Sequence, residues 1–136
     1  PLVYAWQKNA AALPGGAGAS LVLTNVSRAS SGNYSVIITN IAGSIASSNA
    51  LLLVRVKQLL GTPVMLPDGS VTFPSGDGDG GLLTEADLAG FEVQASENLL
   101  DWTTLVNAMS LTNGMLILHD DSATNHPLRF YRIIEH

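Results

Sequence analysis

The sequence predicts an all-β chain made of two small antiparallel modules, residues 1–57 and residues 58–136. Three observations lead there. Short apolar runs rich in β-branched residues are separated by Gly, Ser and Asn, which is the pattern of strands and turns. The first half sustains no helical period. The charge also changes sign near Lys57. Lys8, Arg28, Arg55 and Lys57 stand in residues 1–57 without an acid, a charge of +4. Residues 58–136 set Arg129 and Arg132 against all eleven acids, a charge of −9.

In the first half, Leu21–Val26, Tyr34–Thr39 and Ala50–Val56 are each bounded by turn formers and read as strands. Gly15-Gly16-Ala17-Gly18 is a loop, and Asn40-Ile41-Ala42-Gly43 is a hairpin connection in which Gly43 supplies a positive φ. In the second half, Leu59–Leu66 is apolar but interrupted by Gly61 and Pro63. Ser70–Phe73 is a strand after the Asp68-Gly69 turn, and Pro74 to Gly81 is a Gly/Asp-rich loop. Thr84 and Asp87 form an N-cap pair for one helical turn. Phe91–Ala95 alternates apolar and polar residues, placing Glu92 and Gln94 on one face. Trp102–Val106 is a further strand. Asn113-Gly114 joins Met109–Leu111 to Met115–Leu118 as a tight hairpin. Phe130–Ile134 is the last strand, with Arg129 and Arg132 available to pair with acids such as Asp120 or Asp121.

Tyr4-Ala-Trp6, Leu21–Val26, Ser31-Gly32-Asn33-Tyr34-Ser-Val36 and Thr39-Asn40-Ile-Ala-Gly43, in that order, resemble strands C to G of a bacterial immunoglobulin-like domain. The resemblance implies an incomplete immunoglobulin-like β-sandwich over residues 4–56. Trp6 would be its core tryptophan. Tyr34 would return a hydroxyl hydrogen bond to the backbone upstream. Val36 stands where disulfide-bearing members have a Cys. Strands A and B have no counterpart in the chain, so the resemblance implies an open face needing cover. The candidates are Val64–Leu66 or Val71–Phe73, a second copy in a homodimer, or a longer parent protein. The run Phe91–Trp102, then Asn113-Gly114, Asp120 and Arg129-Phe130-Tyr131-Arg132, resembles a small C-terminal β module of secreted Verrucomicrobia-type proteins. That resemblance implies a secreted or cell-surface location.

Composition excludes several classes. Apolar residues make up 46% and charged ones 12%, which argues against a disordered chain. Cysteine is absent, so disulfides, thiolate metal sites and Cys nucleophiles are ruled out. A net charge of −5 argues against nucleic-acid binding. No apolar run approaches the roughly 20 residues of a membrane-spanning helix, so membrane insertion by a helix is not expected.

Four constellations bear on chemistry. Asp77, Asp79, Glu85 and Asp87 lie in a loop with the residue types of a Ca²⁺ site, but Ser75 and Ala86 occupy its first and closing positions. The competing reading is a solvated acidic loop. Glu92, Glu97, Asp101, Asp120 and Asp121 offer carboxylate pairs for glycoside hydrolysis, which needs two of them across a cleft. Ser96, His119 or His126, with Asp101, Asp120 or Asp121, offer a nucleophile arrangement, but no Gly-x-Ser-x-Gly elbow accompanies them. Histidine spacing fits no compact metal motif. Trp102 is either a core residue or an exposed platform for the apolar face of a sugar. The expected function is a non-catalytic extracellular module for display, adhesion or glycan binding at the end of a larger bacterial protein. Its partner would be a polysaccharide or cell-surface glycan, with Ca²⁺ as the one candidate cofactor. The alternative is a small hydrolase acting on a glycoside or ester.

Overall fold

A computed structural model describes residues 1–136. The chain is all-β with antiparallel sheets, and it divides into two compact units, Pro1–Arg55 and Val56–His136. No helix is long and apolar enough to cross a membrane.

The first unit is one five-stranded sheet of β1 (Val3–Lys8), β2 (Ala11–Ala12), β3 (Gly32–Asn40), β4 (Gly43–Ala46) and β5 (Ala50–Leu52). The long β3 is central. It pairs with β1 on one side, and with β4 and then β5 on the other. Asn9 and Ala10 both take positive φ in the β1–β2 turn. Gly43, at φ 144°, closes the β3–β4 hairpin as expected. Tyr34 and Val36 are buried, and the Tyr34 hydroxyl donates to the Ser30 carbonyl at 2.7 Å, the upstream bond that the resemblance implies.

Three expectations fail in this unit. Leu21–Val26 forms no strand. A β-branched run becomes a strand only against a neighbour, and the central edges are already taken. Trp6 and Leu13–Gly16 exchange backbone bonds along β1, while β4 and β5 fill the far side of β3. Asn25, at φ 52°, also breaks the run. The strand expected over residues 50–56 stops at Leu52. Trp6 is half-buried rather than in the core, with its Nε1 donating to the Gly18 carbonyl at 2.9 Å.

The second unit contains two sheets. One holds β6 (Gln58–Leu60), β7 (Val64–Met65), β8 (Val71–Asp77), β11 (Met109–Thr112) and β12 (Met115–Asp120). The other holds β9 (Phe91–Ser96), β10 (Thr103–Thr104) and β13 (Phe130–Glu135) in the order β10-β9-β13. Asn113 (φ 51°) and Gly114 (φ 74°) make the predicted two-residue turn between β11 and β12. The helical turn α1 (Glu85–Leu88) begins where expected, with the Asp87 carboxylate accepting the Thr84 backbone N–H and hydroxyl at 2.7 and 2.6 Å. Val64–Met65 pairs with Val71–Thr72, so each of these two candidate covering segments takes the other as its partner.

Residues 74–77, expected in a loop, continue β8. Pro74 cannot donate to a ladder, yet it sits opposite Ile117 in mid-strand. Its carbonyl accepts the Gly61 N–H at 2.7 Å, so its donor side faces the break between β6 and β7. A Cβ on Gly61 would lie 2.7 Å from the proline ring, which is why the ring fits only beside glycine. The strand expected over residues 102–106 shrinks to Thr103–Thr104.

The two sheets share a core of Phe73, Leu116 and Leu118 from one, Phe91 and Val93 from the other, and Leu83 from the connection. Phe73 and Tyr131 meet across it with ring centres 4.9 Å apart. Leu116 is completely buried. Leu116→Ala is expected to lower the unfolding free energy of this unit by about 2–5 kcal/mol. Urea titration read through amide-exchange protection in β8 and β12 checks this, and a loss under about 1 kcal/mol contradicts the packing described.

Candidate functional site

The site forms at the end of β9, where the chain must turn back into β10. Ser96 and Asn98 build that turn. Ser96 Oγ accepts the N–H groups of Asn98 and Leu99 at 3.2 and 2.9 Å, and Asn98 Oδ1 accepts those of Leu100 and Asp101 at 2.9 and 2.8 Å. Such Asx-type bonds fix the backbone without a ladder. Asn98 Nδ2 then donates to Asp101 Oδ2 at 2.8 Å, orienting that carboxylate.

Beside this turn lies a cleft of about 360 Å³ lined by Ser96, Glu97, Asn98, Asp101, Thr103, His126 and Arg129. Glu97 and His126 are in direct contact across it. Four residues singled out in the sequence, Ser96, Glu97, Asp101 and His126, are therefore brought together. The Ser96 hydroxyl is engaged as acceptor of two N–H groups and donor to Asn98 Oδ1 at 3.2 Å. It is a turn-forming group, not a nucleophile poised on a base.

The other candidates lie elsewhere. His119 pairs with Asp121 at 3.4 Å on the surface. Asp120 is buried at the end of β12. Its Oδ1 accepts the Ser122 N–H and hydroxyl at 3.0 and 2.6 Å, and its Oδ2 accepts the Tyr131 hydroxyl at 3.0 Å. Arg129 Nε lies 2.8 Å from the same Oδ2, but its N–H is not aimed there, so the contact is an ion pair. Burial pushes the Asp120 carboxyl up, yet Ser122, Tyr131 and Arg129 outweigh burial and hold it below the ordinary carboxylate value. Burial and the Asp120 charge push the Tyr131 phenol up to about 12.

Glu92 faces outward on β9. Thr104 donates to Oε1, Gln94 Nε2 donates to the same oxygen at 2.6 Å, and His136 contacts Oε2 at 2.9 Å. The Thr104 bond first, then those of Gln94 and His136, bring its carboxyl down to about 2. A general acid for glycoside cleavage needs the opposite shift, so neither Glu92 nor Asp120 is tuned for that task. Asp77 and Asp79 both present an oxygen beside Gly81, but no group of three or more potential ligands forms from the carboxylates proposed for Ca²⁺. Asp77 is buried against Gln58 Nε2, Asp79 Oδ1 accepts the Gly81 N–H at 2.9 Å, Asp87 caps α1, and Glu85 is exposed. Asp77, Asp79 and Asp87 thus accept hydrogen bonds from the chain itself.

Trp102 is half-buried, neither core nor free platform. Its Nε1 donates to the Leu99 carbonyl at 3.2 Å, and the Arg132 guanidinium lies over its ring, 4.2 Å from the centre. Arg132 Nε and Nη2 both donate to Gln94 Oε1, at 2.8 and 2.6 Å. The sequence placed Gln94 on the outer face but did not show Arg132 beside it. Only the β9–β13 register, with Arg132 opposite Gln94, brings them together.

Comparison with protein-family models and with curated proteins gives no match to this chain.

The Asp120 network sets two limits on stability. A depressed carboxyl contributes above the unfolded value near 3.9, and its contribution is lost as pH falls through the folded value. A raised phenol contributes below about 10, and its contribution is lost as pH rises towards about 12. Thermal midpoints measured across pH are expected to lose part of the acid fall in Asp120→Asn, and part of the fall above about pH 10 in Tyr131→Phe. Variants with unchanged limbs would contradict the network.

Proposed function

We propose that this chain is a non-catalytic glycan-binding module of a secreted or surface-displayed bacterial protein. The supporting observation is the cleft at the end of β9, which presents hydrogen-bonding groups of both kinds around one space. Glu97 and Asp101 offer acceptors, Thr103 offers a hydroxyl, and Arg129 and His126 offer donors. Sugar hydroxyls both donate and accept, and a carboxylate oriented in advance binds them at less entropic cost than a mobile one. Asp101 has that orientation from Asn98. Hydrogen bonds to a charged partner contribute about 1.5–3 kcal/mol each. The extracellular location rests on the resemblance carried by residues 91–132.

The hydrolase reading has less support. The cleft holds one His–carboxylate contact, but its serine is committed to the turn, and Glu92 is held ionised away from the cleft.

The test is retention by a panel of neutral and acidic polysaccharides, read by pull-down and affinity electrophoresis. Retention by at least one is expected, weakened about tenfold or more by Asp101→Ala in a variant whose circular dichroism is unchanged. A tenfold change corresponds to one lost contact of about 1.4 kcal/mol. Retention by none overturns the reading. Turnover of chromogenic glycosides or esters that disappears in Glu97→Ala or His126→Ala would establish the hydrolase instead.

A further inference from the structure

The outer face of the β10-β9-β13 sheet carries a feature that the cleft does not use. The Arg132 guanidinium carbon lies over the Trp102 ring, 4.2 Å from its centre, and one edge of the group is fixed by Gln94 Oε1. Gln94 is itself held by donating Nε2 to Glu92, which Thr104 and His136 hold from two other sides. A chain of contacts thus fixes the plane and the rotation of an exposed cation. The bonds to Gln94 use Nε and Nη2, leaving the end-on edge formed by Nη1 and Nη2 for a second partner. That edge matches the two oxygens of a planar carboxylate.

Of the two cations in residues 58–136, Arg129 is bound to buried Asp120 and to Ser122, whereas Arg132 is exposed. Resting on the glycan reading above, we propose that Arg132, held on Trp102 and by Gln94, binds the carboxylate of a uronate residue in an acidic polysaccharide. The fixed guanidinium loses little freedom on binding, which favours this contact over one made by a mobile side chain. Glu92 and His136 are titratable groups joined to the same contact chain, with Glu92 two residues along β9 from Gln94. The net charge of −5 acts at longer range, where salt screens it within about 8 Å.

The probes are polygalacturonate, the same polymer fully methyl-esterified, and neutral xylan. The intact chain is expected to bind polygalacturonate at least tenfold more tightly than the ester, which keeps the sugar and removes the charge. Arg132→Lys keeps a cation but not the planar fork, and is expected to remove that difference. Equal binding of acid and ester, or an acid preference unchanged in Arg132→Lys, overturns the assignment. Binding of xylan alone also overturns it while leaving the glycan reading intact, and binding of none of the broader panel defeats both. The acid-against-ester comparison uses the unaltered protein, so it stands even where a variant does not fold.

Discussion

The architecture of the second unit depends on where one buried carboxylate finds its partners. Asp120 ends β12, in one sheet, and accepts the hydroxyl of Tyr131 from β13, in the other. An ionised group in an apolar interior is costly unless it is paired and hydrogen-bonded. Ser122, Tyr131 and Arg129 meet that requirement. The apolar contacts of Phe73, Leu116, Leu118 and Val93 are not directional, whereas the Asp120 bonds are. They fix where β13 enters and which residues face outward. Arg129 is thereby set at the cleft, and Arg132 is set over Trp102 by the next steps of the same strand.

Much of the fold was legible because its signals are local. Asn113-Gly114 requires two positive φ values and has them. Thr84 and Asp87 meet within one helical turn. Tyr34 reaches a carbonyl only four residues upstream. The misreadings share the opposite property. Leu21–Val26 has the composition of a strand but finds no free central edge, and that depends on where β4, β5 and residues 13–16 settle. Pro74 reads as a strand breaker until Gly61 is placed beside it. The cleft was partly legible, since Ser96, Glu97 and Asp101 are close in sequence. His126 joins them only through folding, and the Arg132–Gln94 pair follows from a strand register that no local pattern encodes.

The first unit shows what one sheet can and cannot do. Tyr34 and Val36 are its only buried apolar side chains, while Ile45, Val22 and Leu51 remain largely exposed. A single sheet buries little apolar surface by itself. Its order comes from paired backbone, from the Tyr34 bond, and from side-chain ties such as Asn9 Oδ1 to the Asn33 N–H at 2.9 Å and Ser31 Oγ to the Val54 N–H at 2.9 Å.

The contact between Gly61 and Pro74 makes what one position can hold depend on the other. Any side chain at 61 meets the pyrrolidine ring, while an ordinary residue at 74 would restore a backbone donor and clear that space. The tolerated alphabet at either position is therefore conditional on the other. Homologous chains should vary there in step, with bulkier residues at 61 admitted only after the imino acid has gone.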